Sequence, residues 1–434
     1  MAVRAPIRIA RALQHRNYRL FFFGQGISLI GTWLTRFATV WMVYRLTHSG
    51  ALLGLVAFFG QAPSSVIAPI AGVLIDRWDR HRVVIATQVA AMLQSAALAF
   101  FAFTGLMTVW HLMVLGAVQA VINAFDMPAR QSFLGQMIED RADLPNAIAL
   151  NSSMVNGARL VGPAIAAVLV GLFGEAWCFA VDAVSYVAVI VSLLMMHVPK
   201  RALVARRGHV WQDMQDGWHY VANAPLVRAV LLLLAVTSVL GGAYTTLLPM
   251  VAGSTLQGGS NTLGILMATA GCGALAGALY LAGRSTVVGL GGAIGRATLA
   301  LGAALIVLRF ATNVWIAAPL LFVTGAAWMI QMAATNTIIQ TIVDTDKLGR
   351  VMSLYAVAFF AGMPVGALLE GWLADHLGPM NTFLCAGLAV SIAGVMYMRA
   401  LPRLRLVSRP LYERLGLISA PDAPPSREQL PAAH

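Results

Sequence analysis

The feature that most constrains this chain is a series of about twelve apolar runs, each about 20 residues long, that fill most of its length. A run of that length can cross the ~30 Å hydrocarbon layer of a bilayer as an α-helix. Of the 434 residues, 59% are hydrophobic and 11% are charged, whereas soluble domains carry roughly 25% charged residues. The sequence therefore predicts an all-α, multi-pass membrane protein. The predicted spans, numbered in chain order, are 20–44, 52–75, 83–104, 107–127, 150–173, 176–197, 229–251, 261–283, 286–310, 314–337, 351–374 and 379–400.

The loops between the spans differ in their basic residues, and this difference predicts the topology. The odd-numbered loops TGLMT, FGEAW, LQGGSN and ADHLGP contain no Lys or Arg, whereas the even-numbered loops and both terminal segments are basic. Because basic segments stay on the cytoplasmic side, both termini are predicted to be cytoplasmic. The formal net charge of +12 is explained by this topology, so no nucleic acid partner is predicted. Of the 29 Lys and Arg residues, those outside the inner segments are Arg36, Arg45, Arg159 and Arg309.

A polar segment follows the sixth span and divides the chain into two sets of six. The predicted domains are an N-terminal six-helix bundle at 1–198, a cytoplasmic linker at 199–228, a C-terminal six-helix bundle at 229–400, and a basic, Pro-rich, disordered cytoplasmic tail at 401–434. Within the linker, apolar residues recur at three- and four-residue spacing, which predicts a helix lying at the membrane surface. These residues are Val210 or Trp211, Met214, Trp218 and Val221.

An internal repeat supports the division into two halves. Ser152 and Ser353 are separated by 201 residues, and so are Pro163 and Pro364. Each pair lies in corresponding spans of the two halves, the fifth and the eleventh. Two six-helix repeats are the arrangement expected of a secondary transporter.

Polar residues inside the first, fourth, seventh and tenth spans recur every three or four positions, which places them on one face of each helix. Because polar groups are costly in hydrocarbon, such faces are expected to turn towards a bundle interior or a water-filled cavity. The alternative is that each side chain only hydrogen-bonds a neighbouring helix. We predict that the four faces line one substrate pathway. The predicted pathway residues are Gln25, Ser28, Thr32, Arg36, Gln119, Asn123, Asp126, Tyr244, Trp328, Gln331 and Thr335.

Arg36 lies in the outer part of the first span, where a charge needs an explanation. A long arginine side chain can reach the interface and remain hydrated there. The alternative is an ion pair inside the bundle with Asp182 or Glu370, which lie at comparable depths. An acid that exchanges a proton as the arginine approaches would couple transport to a proton gradient, so these two residues are the candidate coupling acids.

The loop after the second span, GVLIDRWDRHR at 72–82, places an acid and three arginines between two apolar runs. This pattern predicts a tight loop on the cytoplasmic side, although the charges could also serve topology alone. The loop resembles the motif between the second and third helices of the major facilitator superfamily. The chain is similar in detail to the enterobactin-exporter and macrolide-efflux branch. The stretches that carry this resemblance are LIDRWDRHR (74–82), NAFDMPARQSF (123–133), NGARLVGPAIAA (156–167) and QMAATNTIIQTIVDTDKLGRVMSLY (331–355).

The resemblance implies two six-helix bundles, with spans 1, 4, 7 and 10 lining the cavity. It assigns a cytoplasmic gate motif, in which Asp76 helps to lock the halves near the start of the eleventh span. A helix N-terminus has a positive dipole end, which is a physical reason for an acid to dock there. The second glycine of the motif is replaced by Asp79. The motif residues are Gly72, Asp76, Arg77 and Arg80.

The fifth span resembles a Gly-rich helix-packing motif that marks exporters of this superfamily. Gly162 and Pro163 match the motif, while alanine stands at positions 158, 166 and 167 where its fullest form has glycine. Alanine still permits close helix contact, so tight packing of spans 5 and 8 or 2 and 11 is expected. The arginine that many drug–proton antiporters carry in span 4 has no counterpart, since Gly116 occupies its approximate position.

No pattern in the sequence predicts an enzyme, a cofactor or a metal site. There is no GK[ST] phosphate loop, so ATP is not a predicted partner, and no catalytic residue is assigned. The three cysteines lie inside apolar runs, which argues against a disulfide framework or a metal cluster. The basic N-terminal segment lacks an apolar core, so it is not expected to be a cleavable signal peptide.

The leading hypothesis is a proton-driven secondary exporter of the bacterial inner membrane that works by alternating access. Aromatic residues and methionines near the stripes suit an amphipathic small molecule, such as a siderophore, a macrolide or another drug. Two alternatives stay open. One is translocation of a lipid or lysolipid, which predicts an apolar lateral opening between spans 2 and 11 or 5 and 8. The other is a non-transporting membrane receptor or assembly protein, in which the polar stripes are plugged.

Overall fold

The computed structural model describes residues 10–75, 77–197, 210–242, 244–284 and 286–415. These residues form sixteen α-helices and no β-strand. In chain order the helices are α1 (Arg16–Thr47), α2 (Gly50–Phe59), α3 (Ala62–Ile75), α4 (Arg80–Phe103), α5 (Val109–Leu134), α6 (Leu144–Phe173), α7 (Glu175–Leu194), α8 (Val210–Asn223), α9 (Pro225–Leu240), α10 (Tyr244–Met250), α11 (Ser260–Ala282), α12 (Leu290–Leu308), α13 (Val314–Ile342), α14 (Thr345–Ala356), α15 (Gly362–Leu377) and α16 (Pro379–Arg414).

The predicted all-α membrane fold is confirmed. In the described part of the chain, eleven helices or successive helix pairs are long and apolar enough to cross a membrane. The first helix, α1, is not among them although it has 32 residues, because Arg36 and its polar neighbours lower its hydropathy. The count of twelve spans and the cytoplasmic position of both termini stay predictions.

Three predicted spans are divided or irregular near their middle, and proline or glycine explains each. Span 2 breaks between α2 and α3 at Gly60 and Gln61, just before Pro63. Span 7 breaks after α9 at a Gly-Gly pair, and α10 then ends in a π-helical turn at 251–255. Span 11 contains a π-helical turn at 357–361 between α14 and α15. Proline removes a backbone donor, and paired glycines favour kinks.

The irregular turn in span 11 is satisfied from the other half of the protein. Pro364 has no N–H group with which to bond the carbonyl of Phe360, four residues earlier. The hydroxyl of Ser65, in α3, donates to that carbonyl at 3.1 Å. A backbone acceptor freed by proline in one half is therefore bonded by a side chain of the other.

The hydrophobic core is continuous between the halves at one end and divided at the other. One buried cluster contains residues of both halves, such as Phe37 of α1 and Leu247 of α10. A second cluster, with Phe133 and Val189, contains only N-terminal residues up to position 196. A third, with Ile338, contains only residues from position 221 onwards. The shared cluster lies at the predicted outer ends of the spans, and the separate clusters lie at the predicted cytoplasmic ends.

The connections at the predicted outer ends recur in the two halves. Gly174, before α7, and Gly378, before α16, have positive φ angles of 87° and 81°. His48 and Gln257 also have positive φ angles, of 50° and 48°, and lie in the connections before α2 and α11. These matching turns support the internal repeat, while the exact domain boundaries stay predictions.

The predicted disordered tail differs from the structure in its first part. Helix α16 continues without interruption to Arg414, and the prediction of disorder from residue 401 is wrong over this stretch. Leu401 is buried in the C-terminal cluster, and Arg414 forms an ion pair with Asp344 at 3.3 Å. These contacts extend the helix beyond the predicted span, and the remainder of the predicted tail, from 416, lies outside the described residues.

The linker contains the predicted helix, as α8, which packs against α14. Gly217 allows this approach, since a Cβ there would lie 3.0 Å from the Arg350 carbonyl oxygen. The predicted apolar face is divided, because Val221 is buried and Trp218 is exposed. Residues 198–209 of the linker lie outside the described residues, and the position of α8 at a membrane surface stays a prediction.

Candidate functional site

The predicted outer ends of α2 and α15 form a close contact between the two halves, which we call the outer seam. It consists of Gly50 and Gly54 of α2 against Ala367, Gly371 and Ala374 of α15. A Cβ built on Gly50 would lie 2.7 Å from the Gly371 carbonyl oxygen and 2.9 Å from the Ala374 Cβ. Small residues let membrane helices approach to backbone contact, and this pattern is typical of stable helix pairs.

A carboxylate bonds across this seam at its end. Asp375 of α15 accepts hydrogen bonds from the backbone N–H groups of Gly50 and Ala51, at 2.5 and 3.1 Å. It also accepts one from the hydroxyl of Ser49, at 2.7 Å. These donors are at the N-terminus of α2, where free N–H groups and the helix dipole favour a negative charge. We call these contacts the Asp375 latch.

Two further contacts close the same end. Tyr44 of α1 packs its ring against Gly253, in the π-helical turn after α10, where any Cβ would overlap the ring. Between α6 and α11, Ala167 meets Gly264, and the hydroxyl of Ser260 donates to the Ala167 carbonyl at 3.2 Å. The halves therefore contact each other through three helix pairs at the predicted outer end.

The opposite end of α6 has the reverse character. Ile148, Ser152 and Val155 lie at helical spacing on one face and are exposed. The same face continues to Arg159 and then to Ala166, which is fully buried. At 100° per residue, this face lies between the side of α6 that meets α1 at Gly162 and the side that meets α11 at Ala167, so it is turned towards the space between the halves. We call this space the inner cavity, and it opens towards the predicted cytoplasmic side.

Along the predicted stripe of α1, exposure rises from the predicted cytoplasmic end towards the outer end, which is the reverse of the α6 face. Gln25 and Ser28 are buried, and the Gln25 Oε1 and Ser28 Oγ atoms have no hydrogen-bond partner among the described residues. Thr32 is partly exposed, and Arg36 is exposed. The opposite face of α1 exposes the apolar Phe23, as expected for a surface in lipid.

Arg36 lies inside the bundle although its side chain is exposed. Its guanidinium is 5.0 Å from the centre of the Trp33 ring, a cation–π arrangement. It interacts electrostatically with Arg159, Tyr186 and Asp182, which are contributed by α6 and α7. Surrounded in this way, the charge of Arg36 faces the inner cavity, so the structure does not favour an interfacial position for it.

The two candidate coupling acids differ in their surroundings. One oxygen of Asp182 accepts hydrogen bonds from Thr35 at 2.7 Å and Ser95 at 2.8 Å, while the other has no partner among the described residues. Glu370 is buried, and neither of its oxygens has a described partner. Within the described part of the chain, neither acid forms an ion pair with Arg36 within 4.0 Å.

The fourth-span stripe separates into two environments. Gln119 and Asn123 are partly exposed and are joined by a hydrogen bond of 3.2 Å. Asp126 is buried and pairs with Arg130 at 2.6 Å, and it accepts further hydrogen bonds from two side chains of α4. Because its carboxylate lies in the α4–α5 contact, the structure does not support a cavity position for Asp126.

The predicted residues of spans 7 and 10 are also buried. Trp328 packs against Gly242, at the break in span 7, and stacks on Phe359 of the π-helical turn in span 11, with ring centres 6.0 Å apart. Tyr244 is buried nearby and interacts electrostatically with Arg159. Gln331 and Thr335 are fully buried, and neither polar atom of the Gln331 amide has a partner among the described residues.

The structure describes the predicted packing motif in full but the predicted gate motif only in part. Asp76, the central acid of the gate motif, lies outside the described residues, while Gly72 is in α3, Arg77 is exposed and Arg80 begins α4. Asp79, which replaces the second glycine, caps α4 by accepting from the backbone N–H groups of residues 81 and 82.

In the packing motif, Gly162 approaches Trp33 of α1, because a Cβ at 162 would overlap the Trp33 Cβ. Contact with α11 comes instead from Ala167, while Pro163 is buried beside it. No group of three His, Cys, Asp or Glu residues that could hold a metal ion occurs in the described part of the chain.

Sequence reasoning missed Arg159 and Asp375. In the sequence Arg159 stands out only as a basic residue outside the cytoplasmic segments, yet an arginine inside a span is itself an indication of function. Asp375 falls in a predicted short outer loop whose only evident feature is its lack of basic residues, although in the structure it belongs to α15. Its role depends on a partner 325 positions away in the chain, which no local pattern reveals.

Comparisons with known proteins agree with this architecture. A family model described as "Transmembrane secretion effector" matches residues 9–410. The Staphyloferrin A transporter of Staphylococcus aureus is 25% identical over 385 residues, which cover 87% of this chain and 95% of that protein. The Macrolide efflux protein A of Streptococcus pyogenes is 24% identical over 401 residues, covering 89% and 97%.

Solved structures extend the agreement to the fold. A bacterial homologue of the human lysosomal transporter Spinster, in an inward-facing and occupied conformation, matches with a TM-score of 0.70 at 16% identity, covering 91% of this chain and 98% of that one. The relatives are membrane transporters and not enzymes. The chain is thus a multi-pass membrane transporter, and it belongs to the transmembrane secretion effector family of the major facilitator superfamily.

Proposed function

We propose that this protein is a secondary active exporter of the bacterial inner membrane that moves an amphipathic small molecule out of the cytoplasm. The observation that carries the proposal is the division of the core. One cluster joins the halves at the outer end, whereas each half has its own cluster at the inner end. A cavity that opens to the cytoplasm and is closed outside is the state in which an exporter loads its substrate, and the outward direction is supported by the relatives named for efflux.

The outer seam and the Asp375 latch form the proposed outer gate. Release requires these contacts to separate while the cytoplasmic ends close. The cytoplasmic gate is proposed to involve Gly72, Asp76, Arg77 and Arg80, as the family motif implies. Both proposed gates place a carboxylate at a helix N-terminus of the other half. Asp375 bonds the N-terminus of α2, and Asp76 is proposed to bind near the N-terminus of α14.

The proposed pathway consists of cavity-facing residues of both halves. Thr32, Arg36, Gln119 and Asn123 are at least partly exposed in this conformation. The buried members, which would become accessible only as the halves move, are Gln25, Ser28, Tyr244, Trp328, Gln331 and Thr335. Asp126 is left out of this set because it bonds α4.

A proton gradient is the proposed energy source, with Asp182 and Glu370 as the candidate proton carriers. Both are carboxylic acids buried within the bundle, and intramembrane acids of this kind serve as proton relays in many transporters. The relatives named as a staphyloferrin A transporter and a macrolide efflux protein support the substrate class.

The experiment is dye efflux from an efflux-deficient host with and without a protonophore. Wild type would be compared with Asp182→Asn and Glu370→Gln, with protein levels measured in the membrane. Protonophore-sensitive efflux that is lost in one or both variants is the expected result. Reconstituted protein that moved only sugars or amino acids would contradict the proposal.

A second candidate function, lipid translocation, is favoured by one observation. The inner part of the α3 surface exposes Val66 and Ile70, and Phe360 of the facing π-helical turn is exposed beside it. Apolar residues at this position would suit a lateral path for an acyl chain. Flipping of a fluorescent lysolipid in proteoliposomes, lost on Val66→Asp, would favour this function over export of a soluble molecule.

A further inference from the structure

Two positive charges that lack ion-pair partners face the inner cavity from adjacent helices. Arg36 lies on α1 and Arg159 on α6, and the two guanidinium groups interact electrostatically with each other. Among the described residues, neither forms an ion pair within 4.0 Å, and no side-chain hydrogen bond is formed by Arg159. Holding two like charges together inside a membrane protein is costly unless a counter-charge is supplied.

The packing of α1 against α6 brings these arginines to the same region. Gly162 of α6 meets Trp33 of α1 directly. Arg159 precedes Gly162 by three positions, about one helical turn, and Arg36 follows Trp33 by three positions. Arg159 therefore lies on the predicted cytoplasmic side of the contact between Trp33 and Gly162, and Arg36 lies on its predicted outer side.

The position of Arg159 on its helix directs it between the halves. Gly162 marks the side of α6 that touches α1, and Ala167 marks the side that touches α11. At 100° per residue, position 159 lies between these two sides. The C-terminal half supplies Tyr244 beside it, so a ligand at Arg159 would be contacted by both halves.

The neighbouring acid does not balance both charges. Asp182 attracts Arg36, but one of its oxygens already accepts hydrogen bonds from Thr35 of α1 and Ser95 of α4. One carboxylate against two guanidinium groups leaves an excess positive charge in the cavity. The remaining groups near the pair, Tyr186 and Tyr244, are neutral phenols that can donate a hydrogen bond.

We propose that the transported molecule is an amphipathic organic anion, whose carboxylate or similar oxyanion is bound by Arg36 and Arg159. Arginine presents a planar fork of donors that matches a carboxylate in two parallel hydrogen bonds. Trp33 and the apolar lining accommodate the rest of the molecule. This inference rests on the proposed export function, which by itself leaves the charge of the substrate open.

The test compares two xanthene dyes of similar shape and opposite charge, carboxyfluorescein and rhodamine 6G. Binding to purified protein in detergent is measured by fluorescence anisotropy, so it does not depend on transport. The variants are Arg36→Gln, Arg159→Gln and the double variant. Arg309→Gln serves as the matched control, since Arg309 is at the outer end of α12 and hydrogen-bonds Asn381.

Wild type is expected to prefer the anionic dye, and each cavity variant is expected to weaken its binding about ten-fold or more. Binding of the cationic dye should stay the same or improve, and the control should match wild type. Arg159→Lys, which retains the charge but not the fork, should give an intermediate loss. Equal losses for both dyes, or no loss for the anion, would overturn the proposal.

Transport measurements in proteoliposomes distinguish failure of the anion site from failure of the proposed export function. Anion-selective binding without movement in proteoliposomes would retain the binding site and refute export. Export of rhodamine 6G but not of carboxyfluorescein would retain export and refute the anionic substrate. A third arm measures the flipping of fluorescent lysophosphatidylglycerol. Flipping that requires both arginines would support the anion site and identify a lipid headgroup as the source of the oxyanion.

Discussion

Replacing Asp375 by asparagine tests whether the outer gate depends on one carboxylate. The change preserves size and leaves one side-chain oxygen, but it removes the negative charge and one of the two acceptor oxygens. In the structure these oxygens receive three hydrogen bonds, from Ser49, Gly50 and Ala51. The variant is expected to favour opening of the outer seam.

The magnitude follows from the exposure of the latch. A hydrogen bond to a charged group contributes about 1.5–3 kcal/mol when it is protected from water. Asp375 is exposed, so screening by solvent reduces this contribution, and exposed charge interactions contribute only about 0–1 kcal/mol. The charge at the α2 N-terminus adds about 0.3–1 kcal/mol. We therefore expect a loss of about 1 kcal/mol, which is about a five-fold shift towards the outward-open state.

The assay labels a cysteine that is hidden in the closed gate. Ser260 is buried and bonds Ala167 across the α6–α11 contact, so Ser260→Cys is a conservative probe. Cys272 and Cys385, which are exposed, would first be replaced by alanine, while the buried Cys178 can remain. A membrane-impermeant maleimide added from outside should label the probe about five-fold faster when Asp375→Asn is present.

The matched control is Asp140→Asn. Asp140 is also exposed and accepts a backbone hydrogen bond, from Ala142, but this contact stays within the N-terminal half. Labelling should not change in this variant. If labelling in Asp375→Asn were as slow as in the control, the Asp375 latch would be a surface contact without a role in the gate.

Three further predictions concern packing and stability. Gly253→Val should prevent the outer gate from closing, because its side chain would overlap Tyr44; labelling of the Ser260→Cys probe should rise, and adding Tyr44→Ala should reverse the effect. Asp126→Asn should lower the midpoint temperature of unfolding in detergent, since weakening a buried charge pair costs about 2 kcal/mol or more. Loss of transport with an unchanged midpoint temperature would instead show that Asp126 acts in the substrate pathway. Cysteines at Gly50 and Ala374, in the protein with Cys272 and Cys385 replaced by alanine, should cross-link on oxidation, because their Cβ positions lie 2.9 Å apart and a shift of roughly 1 Å reaches disulfide geometry. Cross-linking should stop transport, and reductant should restore it. Transport that continued in the cross-linked protein would contradict the outer gate.

The sequence predicted the helices well because hydropathy reports directly on the solvent that surrounds a span. It was less accurate at the cytoplasmic ends, where helices continue into polar segments. Helix α13 reaches Ile342, and α16 reaches Arg414, because tertiary contacts stabilise residues that hydropathy assigns to loops. Pro63 and Pro364 could have indicated the irregular spans 2 and 11, since each removes a backbone donor within an apolar run.

The candidate site was only partly predictable for a different reason. Helical periodicity shows that polar residues share a face, but it does not show which neighbour that face meets. Arg36 and Asp126 were both assigned to the pathway by this argument. In the structure Arg36 faces the inner cavity, whereas Asp126 is paired inside the N-terminal bundle. The Asp375 latch needed knowledge of how the two halves dock, which spacing alone cannot supply.

The hydrogen bond from Ser65 to the Phe360 carbonyl has a mechanical consequence. It lies between the outer seam, which is closed, and the inner cavity, which is open, and so it marks the level about which the halves can tilt. Ser49, at the Asp375 latch, precedes Ser65 by 16 positions, or roughly 24 Å along α2 and the start of α3. A tilt of about 10° about Ser65 moves the outer end of α2 by roughly 4 Å over that length. Bonds of 2.5–3.1 Å at the latch cannot survive such a displacement, so a tilt about Ser65 would break the Asp375 latch while leaving the bond from Ser65 almost unchanged.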